Sequence, residues 1–64
     1  MKILLLGING QLGWELQRSL APLGELIALD RHSHRYCGDL GNLNGLVKTV
    51  RDLQPNVIVN AAAY

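Results

Sequence analysis

Three glycines, each three residues from the next, open the chemistry of this chain in the run Gly7-Ile8-Asn9-Gly10-Gln11-Leu12-Gly13. Each has a mechanical part in a phosphate-binding turn. Gly7 lets the chain leave a strand sharply. Gly10 lets the backbone approach a pyrophosphate with no side chain between them. Gly13 lets the following helix pack closely on the sheet. Free N–H groups and the positive end of a helix starting at Gln11 would then face an anion. The spacing is GxxGxxG rather than GxGxxG, and a turn that holds no ligand would look the same. A second residue type raises the case. Asp30 closes an apolar run about 20 residues after Gly10, where a carboxylate would bond the hydroxyls of an adenosine ribose. Loop and acid together predict a dinucleotide site. A carboxylate repels a 2′-phosphate and so leans toward NAD. Arg31 beside it could meet that phosphate or stack on adenine. NADH and NADPH both stay open.

These residues need elements to place them. Lys2-Ile3-Leu4-Leu5-Leu6 is a short continuous apolar run, which predicts a strand buried on both faces. Leu12, Leu16 and Leu20 then recur one helical turn apart, predicting a helix from Gln11 with that stripe inward. Ala21-Pro22 and Gly24 end it. Leu26-Ile27-Ala28-Leu29 predicts a second strand, and Tyr36-Cys37 a marginal extended piece. Asn42 stands at an N-cap position before Leu43, Leu46, Val47, Val50 and Leu53, the cleanest amphipathic helix of the chain. Pro55-Asn56 breaks that helix, and Val57-Ile58-Val59 predicts a third strand. The alternation predicts an α/β fold with a parallel sheet, ordered β-α-β-loop-α-β. Right-handed crossovers put the two helices on opposite faces if the sheet grows outward from the first strand and then returns to its other side.

Composition narrows the rest. The chain has 64 residues, 48% hydrophobic and 17% charged, which suits a globular protein rather than a disordered one. A net charge of +1 gives no general attraction to nucleic acid or membrane. No apolar run reaches the length of a membrane-spanning helix, and the start lacks the plan of a signal peptide. A cytoplasmic, reducing setting is the expectation. The single cysteine, Cys37, allows no internal disulfide and has no evident base beside it, so an inert thiol is expected. His32 and His34 lack a third ligand for a metal. Trp14 falls off the leucine stripe, at the edge of the first helix. At this size hydrophobic gain and conformational cost nearly cancel. Open sheet edges therefore predict self-association or strand exchange.

The run from Gly7 to Gly13 with Trp14-Glu15-Leu16, the stretch Cys37-Gly38-Asp39-Leu40, and Val57-Ile58-Val59-Asn60-Ala61-Ala62-Ala63-Tyr64 resemble the opening segment of extended short-chain dehydrogenases/reductases acting on nucleotide sugars. The resemblance covers essentially the whole chain and implies the N-terminal portion of a Rossmann-like doubly wound parallel sheet. It implies that residues 1–64 are an incomplete NAD(P)-binding domain, about the first fifth of a larger enzyme with a separate substrate domain. Gly10, Gln11 and Leu12 would line the pyrophosphate, with Gly7 and Gly13 shaping the turn. Asp30 would hold the adenosine ribose. Asp39 and Leu40 would border the adenine, the aspartate accepting from its amino group. Ala61, Ala62, Ala63 and Tyr64 would pass beside the ribose near the nicotinamide. Members often carry His where this chain has Tyr64.

The implied activity is reduction of the 4-keto group of a dTDP-sugar by NADH or NADPH. The family's catalytic Ser/Thr and Tyr-xxx-Lys pair match no position here, since Tyr36 is followed four places on by Leu40. No catalytic residue and no metal ligand is therefore expected in this chain, and no turnover by it alone. A homodimeric parent stays open. So do a non-catalytic Rossmann module used for binding or regulation, and an inactive truncated product.

Overall fold

Lys2–Leu6 forms the central strand of the molecule, β1. The computed structural model describes residues 1–62. Helix α1 spans Gln11–Leu20 and runs into a single 3-10 turn at Ala21–Leu23. Strand β2 is Glu25–Leu29, helix α2 is Leu43–Leu53, and strand β3 is Val57–Asn60. The sheet order is β2-β1-β3 and both pairings are parallel. Leu6 stands opposite Leu29 on one side and Asn60 on the other, so the three strands end at one level. Ala61 N–H continues the ladder to the Leu6 carbonyl at 2.9 Å.

The apolar run predicted this placement of β1. Ile3, Leu4 and Leu5 are all but fully buried, as a strand covered on both faces requires. Leu4 and Leu6 pack with Leu29 and with Leu53, Leu46 and Val50 of α2. Ile3 and Leu5 point to the opposite face, by the two-residue period of a strand. Helix α1 contacts β1 and β2 and is the helix left to cover that side. Two right-handed crossovers account for the arrangement, the second carrying the chain from β2 across β1 to its far edge. This is the Rossmann-like, doubly wound parallel plan.

The ends of α2 are well made. The Asn42 side chain accepts from Gly45 N–H at 3.0 Å, the expected N-cap. At the other end Gln54 takes a left-handed conformation with φ of 48°. Lys2 Nζ donates to the Leu53 carbonyl at 2.9 Å, placing a cation at the negative end of the helix. The Lys2 N–H also donates to Asn56 Oδ1, and Asn56 N–H donates to the Lys2 carbonyl, both at 2.8 Å.

Two expectations need correction. Leu12 is not part of an inward stripe: it is 58% exposed, while Leu16 and Leu20 are half-buried. The first turn of α1 sits at the ends of the strands, so Leu12 reaches the open space there and Gly13 takes the buried position. Tyr36-Cys37 forms no strand. Only Asp30 to Arg35 separate β2 from Tyr36, too few for a parallel crossover, and Tyr36 instead packs against the core formed by α2 and the sheet.

Candidate functional site

The turn after β1 is built as its glycines demand. Gly7 has φ of +77°, a conformation that side-chain-bearing residues seldom adopt. A Cβ at Gly7 would also come within 2.6 Å of the Ala62 Cα, so the exit of β3 is packed directly on this turn. A Cβ on Gly13 would lie 2.7 Å from the Ile8 Cα. The third glycine thus lets α1 close on the loop itself, a more local role than packing on the sheet. Gly10 differs from both: a Cβ there would meet nothing within 4 Å. It caps α1 with no side-chain hydrogen bond, and the first N–H groups of a helix have no partner within it. Open space thus lies in front of a set of free donors.

Asp30 follows the last residue of β2. Its Oδ1 accepts from His32 N–H at 2.8 Å and from the Ser33 hydroxyl at 3.2 Å, and Ser33 Oγ accepts from Asp30 N–H at 3.0 Å. The His32 N–H holds the carboxyl below the usual aspartate range. Partial desolvation opposes this, while the Ser33 hydroxyl, the Asn9 amide and the positive charge of His32 reinforce it. The group is a fixed carboxylate at neutral pH, with its Oδ2 not used by these bonds.

The next wall is irregular. Asp39 Oδ1 accepts from Gly41 N–H at 2.9 Å and the Asp39 carbonyl accepts from Asn42 N–H at 3.0 Å, a tight turn leading into α2. Gly38 lies against the end of β2, where a Cβ would stand 2.6 Å from the Leu29 Cβ. Across the site, Asn60 Oδ1 accepts from Ala62 N–H at 3.0 Å and shapes the exit of β3.

These parts enclose one cleft of about 870 Å³ at the carboxyl ends of the three strands. That volume lies in the range of cofactor pockets. Gly7, Gly10, Gln11, Leu12, Asp30, Arg31, Asp39, Leu40, Ala61 and Ala62 all line it. Gly13 does not; it is buried behind the loop. Ala63 and Tyr64 lie outside the described residues. Sequence reasoning passed over Asn9, Gly38, Gly41 and Asn60, which also line the cleft. Asn9 and Asn60 had a findable signal, since Asn9 lies inside the glycine turn and Asn60 directly follows the apolar run Val57-Ile58-Val59. Gly38 and Gly41 had only their flanking of Asp39.

The open cradle at Gly10, the fixed carboxylate and the cleft's volume fit a dinucleotide. Among the described residues, no group of three or more His, Cys, Asp or Glu side chains converges to hold a metal, and no helix is long and apolar enough to cross a membrane.

Comparison with known proteins places this geometry. The family model described as RmlD substrate binding domain matches residues 1–64. The dTDP-4-dehydrorhamnose reductase of Salmonella typhimurium is 66% identical over 64 residues, which are 100% of this chain and 21% of that protein. The enzyme of the same name from Escherichia coli strain K12 is 62% identical, and that from Burkholderia thailandensis 53%, each over the whole chain and 21% and 20% of their own lengths. The crystal structure of a dTDP-4-dehydrorhamnose reductase from Clostridium acetobutylicum superposes with a TM-score of 0.83 at 38% identity, covering 100% of this chain and 22% of that one. The chain therefore spans about a fifth of the length of its curated relatives, and it belongs to the RmlD substrate binding domain family, whose matched members are dTDP-4-dehydrorhamnose reductases.

Proposed function

We propose that this chain is the cofactor-binding segment of an NAD(P)H-dependent reductase that converts dTDP-4-dehydro-L-rhamnose to dTDP-L-rhamnose, a step in making nucleotide-sugar precursors of surface polysaccharide. The observation that carries this reading is the single cleft that gathers the glycine turn, Asp30 and Asp39 at the ends of three parallel strands. Strand carboxyl ends at the point where strand order reverses are where dinucleotides lie in such sheets. β1 is that point here, with β2 on one side and β3 on the other.

When bound, a reduced nicotinamide supplies hydride. The work of these residues is to bind and orient. The N–H groups opening α1 at Gln11 and Leu12 hold the pyrophosphate, and Gly10 leaves the approach clear. Asp30 accepts from the adenosine ribose with the oxygen its local bonds leave free. Asp39 and Leu40 border the adenine, Arg31 flanks the ribose, and Ala61 and Ala62 offer small side chains beside the nicotinamide half. NADH and NADPH are both accommodated, since Asp30 disfavours and Arg31 favours a 2′-phosphate. Residues 1–64 make up an incomplete Rossmann domain, and the dTDP-sugar is held by residues outside them. The 64 residues hold no Tyr-xxx-Lys pair, so this chain alone binds cofactor without turnover. The cytoplasm, where nicotinamide dinucleotides are held, is the proposed setting.

The test is an NMR titration of the 15N-labelled chain with NADH and with NADPH. Shifts confined to the amides of Gly10 to Gly13, Asp30 and Asp39 to Gly41 are expected for both. No shifts at millimolar cofactor would overturn the reading. A preference above roughly a hundredfold, about 2.7 kcal/mol, would overturn dual use.

A further inference from the structure

The wall that carries Asp39 and Leu40 is neither helix nor strand, and its support lies behind it, on α2. Thr49 is 2% exposed and is the buried polar side chain among the described residues. Its hydroxyl donates to the Cys37 carbonyl at 2.8 Å, with the Gly45 carbonyl as the alternative acceptor at 3.0 Å. A mid-helix threonine ordinarily bonds back only to the carbonyl one turn before it. Here the shorter contact leaves the helix and takes hold of the loop. Gly45 lies one turn before Thr49 on the same face, and its missing side chain makes room for the loop: a Cβ there would stand 2.6 Å from Cys37 Sγ. Gly38 then rests against the end of β2. The backbone is thus gripped at Cys37 from α2 and at Gly38 from β2, immediately before Asp39 turns into the cleft.

We propose that Thr49 is a positioning residue for the adenine end of the cofactor, acting through Cys37 on the placement of Asp39 and Leu40. The inference rests on the dinucleotide reading of the cleft. It assigns a ligand-binding consequence to a side chain that lines no part of that cleft. The glycine turn is held by other contacts, the Gly7 N–H donating to the Leu29 carbonyl at 3.2 Å and Gly7 packing on Ala62, so the grip at Cys37 affects one half of the ligand and not the other.

Two probes separate the halves: ADP-ribose, which needs both, and inorganic pyrophosphate, which needs only the turn. Thr49→Val keeps the shape and removes the hydroxyl. It is expected to weaken ADP-ribose roughly tenfold, the scale of one hydrogen bond in a partly buried site, and to leave pyrophosphate unchanged. Thr49→Ser is expected to restore ADP-ribose binding. Equal losses for both probes, or unchanged ADP-ribose binding in Thr49→Val, would overturn the proposal. Should Thr49→Val fail to fold, Gly45→Ala carries the test. It favours the helix by propensity while pressing on Cys37 Sγ and on the Asn42 amide, whose cap alone is removed by Asn42→Ala as the control. The same selective loss is expected of Gly45→Ala, and wild-type ADP-ribose affinity in that variant would overturn the proposal. If the unaltered chain binds neither probe, the cofactor reading itself falls, and the inference with it; binding by the unaltered chain with no selectivity in the variants defeats the inference alone.

Discussion

The two walls of the cleft hold their shapes by opposite means. The turn from Gly7 to Gly13 is fixed by what its residues lack: a positive φ at Gly7 and close approaches at Gly7 and Gly13 that no side chain would permit. The stretch from Asp30 to Asn42, apart from the close approach at Gly38, is fixed by what its residues have. Side chains of Asp30, Ser33, Asp39 and Asn42 accept from nearby backbone, and Thr49 ties the middle to α2. A backbone-determined wall fails completely when altered. A wall held by many individual bonds gives way one bond at a time.

The largest effect should come from Gly7→Ala. It combines strain at φ of +77° with a clash against Ala62, and should cost roughly 2–4 kcal/mol and abolish cofactor binding. Urea unfolding with the midpoint well below that of the parent chain checks this. A loss under about 0.5 kcal/mol would show that the turn relaxes, and would break the contrast.

Asp30→Asn should spare the fold, because an amide oxygen still accepts from His32 N–H, yet it removes the charge offered to the ribose. About a tenfold loss of NADH affinity is expected by titration. The pH dependence follows from the lowered pKa of this group. Because its folded value lies below its unfolded one, the stability it contributes is complete above the ordinary aspartate range. That contribution is lost as pH falls through the folded value. A 13C titration of the Asp30 carboxyl should give a midpoint below that of a peptide aspartate. A midpoint at or above it would mean the bonds from His32 and Ser33 do not form.

The smallest effect belongs to Asn42→Ala, which removes one cap from α2 and should cost about 1 kcal/mol. Thermal unfolding measures it. A loss matching that of Gly7→Ala would mean the second wall is as indivisible as the first.

The same contrast explains what could be read in advance. The glycine turn and Asp30 were legible because backbone necessity leaves a fixed spacing of residue types. The runs Lys2–Leu6 and Val57–Val59 and the period of α2 likewise specified strands and helix directly, since burial on two faces or one requires those patterns. Leu12 was misplaced because a helical stripe says which residues share a face, not where the sheet beneath it stops. Gly38, Gly41 and the buried Thr49 escaped notice because their roles depend on an irregular segment being folded back on a helix. No local period encodes that contact.

The unfilled edge at β3 belongs to the same accounting. Val57 and Ile58 remain 40% and 50% exposed there, although their residue types suit a covered strand.

One consequence concerns time. The strand made first, β1, is the central one, and it meets β3 only across a separation of 54 residues, from Ile3 to Val57. Early synthesis can offer it β2 alone. The three-way hydrogen-bonded lock of Lys2 with Leu53 and Asn56, together with the β1–β3 ladder, closes loops of more than 50 residues, so the entropy of closure falls on the last event rather than the first. Helices and the β1–β2 pair can fluctuate beforehand, but the cleft has its third side only when the residues of β3 come home to the opening strand.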